Sequence, residues 1–395
     1  MDFAFTSEDE QFRKKVRSFF DEHLPADLAR REAQGFHLSR ADVAEWHRIL
    51  YRQGWSAPHW PAEFGGPGWT PIQRYLYELE YGLANAPEIS LIALSMVGPV
   101  IYRFGSQALK DRFLDPILRG DVWFCQGFSE PQAGSDLANL KTRAIRDGQE
   151  YVITGQKTWT TSAHQADYMI CLARTSLEGK PQAGLSMLIV PMDAPGVTVR
   201  PIDTLDGDHT INEVFLDDVR VPAESLIGEE NSGWNQAKFL LGNERTHNAY
   251  IGILRRYLAR IPVLIEAERQ NGLSDAAATR LLRRHAELEI DVTSLEWSVL
   301  RTLASDETPA LAAMASGLKI RGSEYLLRAG DLENDILGLQ VNPRFTPEDM
   351  APLPAEASPN APGRTTHYLY WRSATIFGGT NEIQRGIIWN TMFKK

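Results

Sequence analysis

Tyr151-Val152-Ile153-Thr154-Gly155-Gln156-Lys157-Thr158-Trp159-Thr160-Thr161 begins with β-branched and aromatic residues and ends rich in hydroxyls. Comparable short runs follow at Tyr168–Leu172, Leu185–Val190 and Glu213–Leu216. They are bounded by Asp147-Gly148, Glu178-Gly179, Pro195-Gly196 and Asp206-Gly207. Runs of this kind between turn dipeptides read as strands. No long helical pattern separates them, so residues 121–230 are expected to form an antiparallel β-domain rather than β-α-β units. The chain also lacks a strand–GxGxxG–helix unit, which argues against a nicotinamide-binding Rossmann domain.

On both sides the periodicity is helical. Toward the N-terminus, Ser7 precedes Glu8, Asp9 and Glu10, acids suited to a helix start, and Phe12, Val16, Phe19 and Phe20 recur at helical spacing. Val43, Trp46, Leu50 and Tyr51 repeat the pattern. Further helices are expected over Ile72–Leu83, Leu91–Phe104 and Ala108–Leu118, with Gly120 closing the last. Beyond Gly233, Trp234, Ala237, Leu241, Ile251 and Leu254 read as one stripe. Helices are also expected over Leu281–Leu303, Ala310–Leu327 and Thr366–Phe377, with a Pro-rich loop from Pro343 to Gly363. The expected fold is therefore α+β and multidomain: a helical domain over 1–120, a β-domain over 121–230 and a helical bundle over 231–395.

Composition narrows the function. The 395 residues are 43% hydrophobic and carry a formal net charge of −10, which argues against a nucleic-acid protein. Cys125 and Cys171 are the two cysteines, too few for a disulfide framework or a metal-ligand spacing. The acidic start is unlike a signal or transit peptide, and the apolar run from Leu91 to Tyr102 is too short to span a bilayer. A cytoplasmic protein without membrane insertion is expected.

Three places could carry chemistry. Gly127-Phe128-Ser129-Glu130-Pro131-Gln132-Ala133-Gly134-Ser135-Asp136 is a turn offering N–H groups and the Ser129 and Ser135 hydroxyls, suited to an anionic or heteroaromatic ligand. Gly378-Gly379 feeds a helix expected to start with Thr380 as N-cap and Glu382 in its first turn. This is either an N–H platform for a ligand or a kink made for packing. Glu244 lies on the Ala237–Leu254 stripe, where burial would raise its pKa and suit a general base. Pairing with Arg245, His247 or Arg255 is the other reading.

Four motifs in order resemble the acyl-CoA dehydrogenase family: Phe128–Asp136, Gly155–Thr161, Val219-Arg220-Val221-Pro222, and Phe377-Gly378-Gly379-Thr380-Asn381-Glu382-Ile383-Gln384-Arg385. The resemblance covers essentially the whole chain and implies FAD between the β-domain and the C-terminal helices. It implies that Phe128, Ser129, Trp159, Thr160 and Thr161 contact the flavin, with Trp159 covering one side and Thr161 near N5. Ser135 would reach the pantetheine or pyrophosphate region. Gly378, Gly379, Thr380 and Glu382 would pass beside the cofactor, with a backbone N–H from this turn on the thioester carbonyl. The implied reaction is α,β-dehydrogenation of an acyl-CoA to the trans-2-enoyl-CoA, with an electron-transfer flavoprotein as acceptor.

Many members carry the catalytic base directly before the Gly-Thr of the last motif, where this chain has Gly378. A smaller set carries it in a Glu-Arg pair after a Leu-rich turn. Leu240-Leu241-Gly242-Asn243-Glu244-Arg245 resembles that arrangement, which makes Glu244 the base and Arg245 a substrate-orienting candidate. The family's Arg-x-x-Phe-Gly and Gln-x-x-Gly-Gly segments are replaced here by Arg269-Gln270-Asn271-Gly272 and Asp335-Ile336-Leu337-Gly338. That departure, and likeness to large subunits of paired enzymes acting on dicarboxylic or steroid side-chain thioesters, implies a homo-oligomer or a heterotetramer with a second, similar subunit. An oxidase or nitroalkane-type flavoenzyme, and a non-catalytic subunit, remain alternatives.

Overall fold

The computed structural model describes residues 5–243, 249–304, 309–341 and 358–393. They group into two compact units, one of residues 1–42, 69–87 and 245–395, the other of residues 43–68 and 88–244.

The first unit is helical. Its N-terminal part holds α1 (Ser7–His23), α2 (Ala26–Gln34) and α4 (Pro71–Leu83); α3 (Arg40–Gln53) lies mostly in the second unit. Thr6, one residue before the expected start, caps α1 in a capping box with Asp9. The acids of the first turn are where the helix dipole favours them. Glu80 on α4 is buried and takes Arg13 and Arg17 of α1 at 2.6 and 2.8 Å. Burial pushes its carboxyl up, but the two guanidinium groups outweigh this and hold it below the usual range.

The C-terminal part holds α8 (Ile251–Gln270), α9 (Asp275–Leu303), α10 (Pro309–Leu337), α11 (Arg364–Trp371) and α12 (Asn381–Met392). Leu254, Ile261 and Ile265 of α8 share one apolar core with Leu76 of α4, Val292 of α9 and Leu326 of α10. Of the expected Pro-rich loop, 343–357 lie outside the described residues.

The second unit is built on a seven-stranded sheet: β1 (Phe124–Gly127), β2 (Arg143–Asp147), β3 (Glu150–Thr161), β4 (Tyr168–Arg174), β5 (Leu185–Pro191), β6 (Val197–Pro201) and β7 (Ile211–Pro222). The order is β1-β4-β2-β3-β7-β6, with β5 also paired to β4. Most pairs are antiparallel, as expected, but β1 runs parallel to β4 from Phe124↔Tyr168 to Gly127↔Cys171. β2 and β3 intervene in the chain between the two and return β4 alongside β1 in the same direction, whereas a tight hairpin could only have joined them antiparallel. Around the sheet pack α5 (Gly98–Phe104), α6 (Gln107–Arg119) and α7 (Gly233–Asn243), and Ile92–Val97 form a π-helical turn. The Trp60 indole donates to the Leu94 carbonyl in that turn, 2.6 Å away, satisfying a group the wider turn frees.

The stripe expected across residues 234–254 is not a single one. The buried face of α7 runs through Gln236, Ala237 and Leu240, and Leu241 is 38% exposed. One residue is a 100° rotation on a helix, enough to leave the core face. A separate helix begins at Ile251 after Tyr250 in the left-handed region, φ 56°. The residues from 234 to 254 are therefore divided between two helices. Glu244 and Arg245 themselves lie outside the described residues.

Candidate active site

Two buried charges fix the turn after β1. Successive side chains of a strand alternate between faces, so Lys157 shares the inward face of β3 with Tyr151 and Ile153. Its Nζ donates to Glu130 Oε1 at 2.9 Å, to the Leu172 carbonyl at 2.7 Å and to the Phe128 carbonyl at 3.2 Å. The Glu130 carboxylate also accepts the N–H groups of Lys141 and Thr142, at 2.6 and 2.8 Å. Burial acts to raise the Glu130 pKa, but Lys157 and these N–H donors win and keep it ionised. The Thr158 N–H then ties the turn to β3 through the Ser129 carbonyl, 2.9 Å away.

In this frame Phe128 is buried, so its ring packs inward and its backbone is what the turn can present. Ser129 is half-buried and Ser135 exposed. The steric need for glycine lies at Gly127, where a Cβ would fall 2.3 Å from Met169 Sδ. At Gly134, later in the same turn, a Cβ would meet nothing of this chain within 4 Å.

The far end of β3 is shaped by a bulge. Lys157 pairs with Val214 and Thr160 with Asn212, so Thr158 and Trp159 stand opposite Glu213 alone. Trp159 sits at φ 58° and is 60% exposed. A bulky residue in the left-handed region costs about 1–2 kcal/mol, and leaving an indole in water forgoes burial. Thr161 beside it is also exposed, whereas Thr160 is buried with an Oγ1 that has no partner in the chain. A flat exposed indole beside the exposed Thr161 fits a planar heteroaromatic group such as the flavin of FAD, while the Thr160 hydroxyl, expected to contact it, is turned into the protein.

In the first unit, Gly378 and Gly379 both take left-handed φ angles, 65° and 82°. Thr380 Oγ1 caps α12 by accepting the Ile383 N–H at 3.2 Å, as the sequence indicates, and Glu382 lies exposed in the first turn. Sequence reading missed what holds this turn. Buried Asn381 accepts from Lys319 Nζ at 3.1 Å and from Ser323 Oγ at 3.3 Å, and Gln384 Nε2 donates to the Gly378 carbonyl at 3.1 Å. Burial pushes Lys319 down to about 8. Arg269, which stands where the resemblance would place the Arg of the Arg-x-x-Phe-Gly segment, pairs with Asp275 at 2.7 Å and Glu266 at 3.2 Å. Among the described residues no cluster could hold a metal ion, and no helix is long and apolar enough to cross a membrane.

Family models for acyl-CoA dehydrogenase match in order along the chain: the N-terminal domain at residues 6–121, the middle domain at 125–219 and the C-terminal domain at 231–393. FadE29, an acyl-CoA dehydrogenase of Mycobacterium tuberculosis, is 33% identical over 97% of this chain and 96% of its own length. The chain belongs to the acyl-CoA dehydrogenase family. Its members are FAD-dependent oxidoreductases, and the fold and cofactor expected from the sequence are those of the family. IpdE1 of Mycolicibacterium smegmatis, also an acyl-CoA dehydrogenase, is 34% identical over 96% of each chain. Among solved structures, the Tcur3481-Tcur3483 steroid acyl-CoA dehydrogenase superposes with a TM-score of 0.84 at 29% identity, covering 99% of this chain and 98% of that one. The ChsE4-ChsE5 complex of M. tuberculosis gives 0.81 at 31%, with the same coverage.

Proposed function

We propose that this chain carries out α,β-dehydrogenation of an acyl-CoA thioester to the trans-2-enoyl-CoA, with Glu244 removing the α-proton. The observation that carries the assignment of the base is the backbone at Gly378, the position where many relatives hold it. Its φ of 65° belongs to glycine, and a glutamate there would be strained. The Glu-Arg pair after α7 then supplies the carboxylate, and Arg245 orients the substrate. Bound FAD supplies the two-electron acceptor for the β C–H. The Gly378–Thr380 turn offers an N–H to the thioester carbonyl, which stabilises the enolate that forms as the α-proton leaves. Phe128 and Ser129 offer backbone and hydroxyl groups to the flavin edge, Trp159 covers a face, Thr161 supplies a hydroxyl while buried Thr160 contributes through its backbone, and Ser135 serves the pantetheine or pyrophosphate. Gly379 and Glu382 complete the turn beside the cofactor.

The paired steroid enzyme and the ChsE4-ChsE5 complex support a bulky side-chain thioester as substrate and a second, similar subunit as partner. An electron-transfer flavoprotein reoxidises the enzyme, and the cytoplasm is the compartment. The test is the visible spectrum of the purified chain, alone and with its candidate partner subunit, before and after anaerobic addition of a panel of acyl-CoAs. Flavin bands that bleach with a thioester support the reading. Flavin bands that no thioester bleaches, with or without the partner, contradict it.

A further inference from the structure

The bulge that turns Trp159 outward needs something to hold it, and the residue opposite its end does so. Asn212 is fully buried and pairs with Thr160 in the β3–β7 register. Its Nδ2 donates to the Thr160 carbonyl at 3.1 Å and lies 3.2 Å from His164 Nδ1, while its Oδ1 lies 2.6 Å from His209 Nε2. A carbonyl only accepts, so Thr160 fixes which end of the carboxamide is nitrogen. His209 must then donate through Nε2, and His164 must accept through Nδ1. The two imidazoles stack with centroids 3.9 Å apart and planes at 19°.

We propose that Asn212 is a positioning residue for the cofactor-facing end of β3. Its carboxamide clamps the Thr160 carbonyl, which holds Trp159 outward and Thr161 at the strand end, and the His164–His209 stack locks the carboxamide in that orientation. The inference rests on the reading of Trp159–Thr161 as the flavin-facing segment. Without the clamp, the segment beyond the bulge keeps only the two backbone pairs Thr160↔Asn212 and Thr161↔Ile211 and the Ser162 N–H to Thr210 carbonyl bond, 2.8 Å. A slip of one residue there would turn Trp159 to the opposite face.

The clamp responds to protons. His164 Nδ1 cannot both accept from Asn212 and carry a proton, so charging His164 breaks that bond. Burial lowers its pKa and the neighbouring His209 ring lowers it further. The carboxylates facing the pair across a depression of about 660 Å³ are Asp121, Asp167 and Asp193, with Tyr168 beside them. Asp167 is bonded by the Trp123 N–H at 2.7 Å and Asp121 is paired with Arg119 at 2.8 Å.

Asn212→Asp tests the clamp, because a carboxylate keeps the shape and cannot donate to Thr160. In the full chain without FAD, amide exchange over residues 158–162 is expected to rise about tenfold while β4 and β5 are unchanged. In the FAD-loaded enzyme the flavin visible band is expected to shift and FAD affinity to fall about tenfold. Asn212→Ser, which puts no charge in the buried site, replaces it if the aspartate variant does not fold. Wild-type exchange together with a wild-type flavin band in either variant overturns the proposal. The unaltered FAD-loaded enzyme gives an independent reading. Its flavin band is expected to move as pH falls below the ordinary imidazole value of 6.5 and His164 takes a proton, and a constant band overturns the coupling. A chain that binds no FAD with or without a partner sinks the dehydrogenase reading instead, and the exchange result still reports on the clamp.

Discussion

The Lys157 ammonium lies 2.9 Å from Glu130 Oε1, and neither side chain reaches solvent. The pair joins the inner face of β3 to the turn after β1, so the turn's shape depends on a charge interaction rather than on its own glycines. Removing one partner of such a pair leaves the other buried and uncompensated. Lys157→Met should cost about 3–5 kcal/mol in urea unfolding and weaken FAD binding. Adding Glu130→Gln to it should recover part of the stability, since the second charge is then gone as well. Glu130 is held below its ordinary 4.5, so the pair's stabilisation is present above that value and lost as pH falls through the lower folded pKa. The parent's advantage over the double variant should shrink in that acid range.

Trp159 presents the opposite case, a residue whose removal should barely affect the fold. Replacing it with glycine relieves left-handed strain of about 1–2 kcal/mol and adds about 0.5–1 kcal/mol of backbone entropy cost. The melting temperature of Trp159→Gly should stay near wild type. Losing an aromatic face should weaken FAD binding roughly two- to tenfold, read by flavin titration. A large loss of stability would place the indole in the core instead.

Gly378 cannot be refilled with the carboxylate that many relatives carry there. Gly378→Glu should lose about 1–2 kcal/mol of stability from its positive φ and should not restore turnover to a Glu244→Gln background. Full rescue by the glutamate would mean the turn readily adopts the other arrangement.

Lys319 gives a pH signature in the alkaline range. Its folded pKa is lowered by burial from 10.5 to about 8, so the folded state favours the neutral amine. That contribution is present above 10.5 and is lost as pH falls through about 8. Stability of the wild type relative to Lys319→Met should therefore rise as pH is taken from about 8 toward 10.5 and be flat below about 8. A flat difference throughout would mean that the Asn381 contact leaves the amine in an ordinary environment.

The strands at Tyr151–Thr154, Tyr168–Leu172 and Leu185–Val190 were legible because β-branched runs between turn dipeptides have few other readings. Thr380 was legible as an N-cap for a similarly local reason. What depended on distant partners was not. Lys157 and Glu130 are 27 residues apart, although the two-residue period from Tyr151 and Ile153 places Lys157 on the inward face, and that signal was available. The β1–β4 pairing is parallel because of how the hairpin between them folds, which no single run encodes. Leu240 and Leu241 are equally apolar, and only the packed helix decides which faces the core. Asn212 and His209 are three residues apart, but His164 lies 48 residues from Asn212, so the cluster as a whole has no local spacing that marks it.

The central claim is that Glu244 removes the α-proton. The most direct measurement is anaerobic mixing of the FAD-loaded Glu244→Gln enzyme with a thioester that bleaches the wild type, within its active assembly. The account predicts that FAD and thioester still bind and that bleaching slows by at least about a hundredfold. Bleaching at the wild-type rate would show that another group takes the proton.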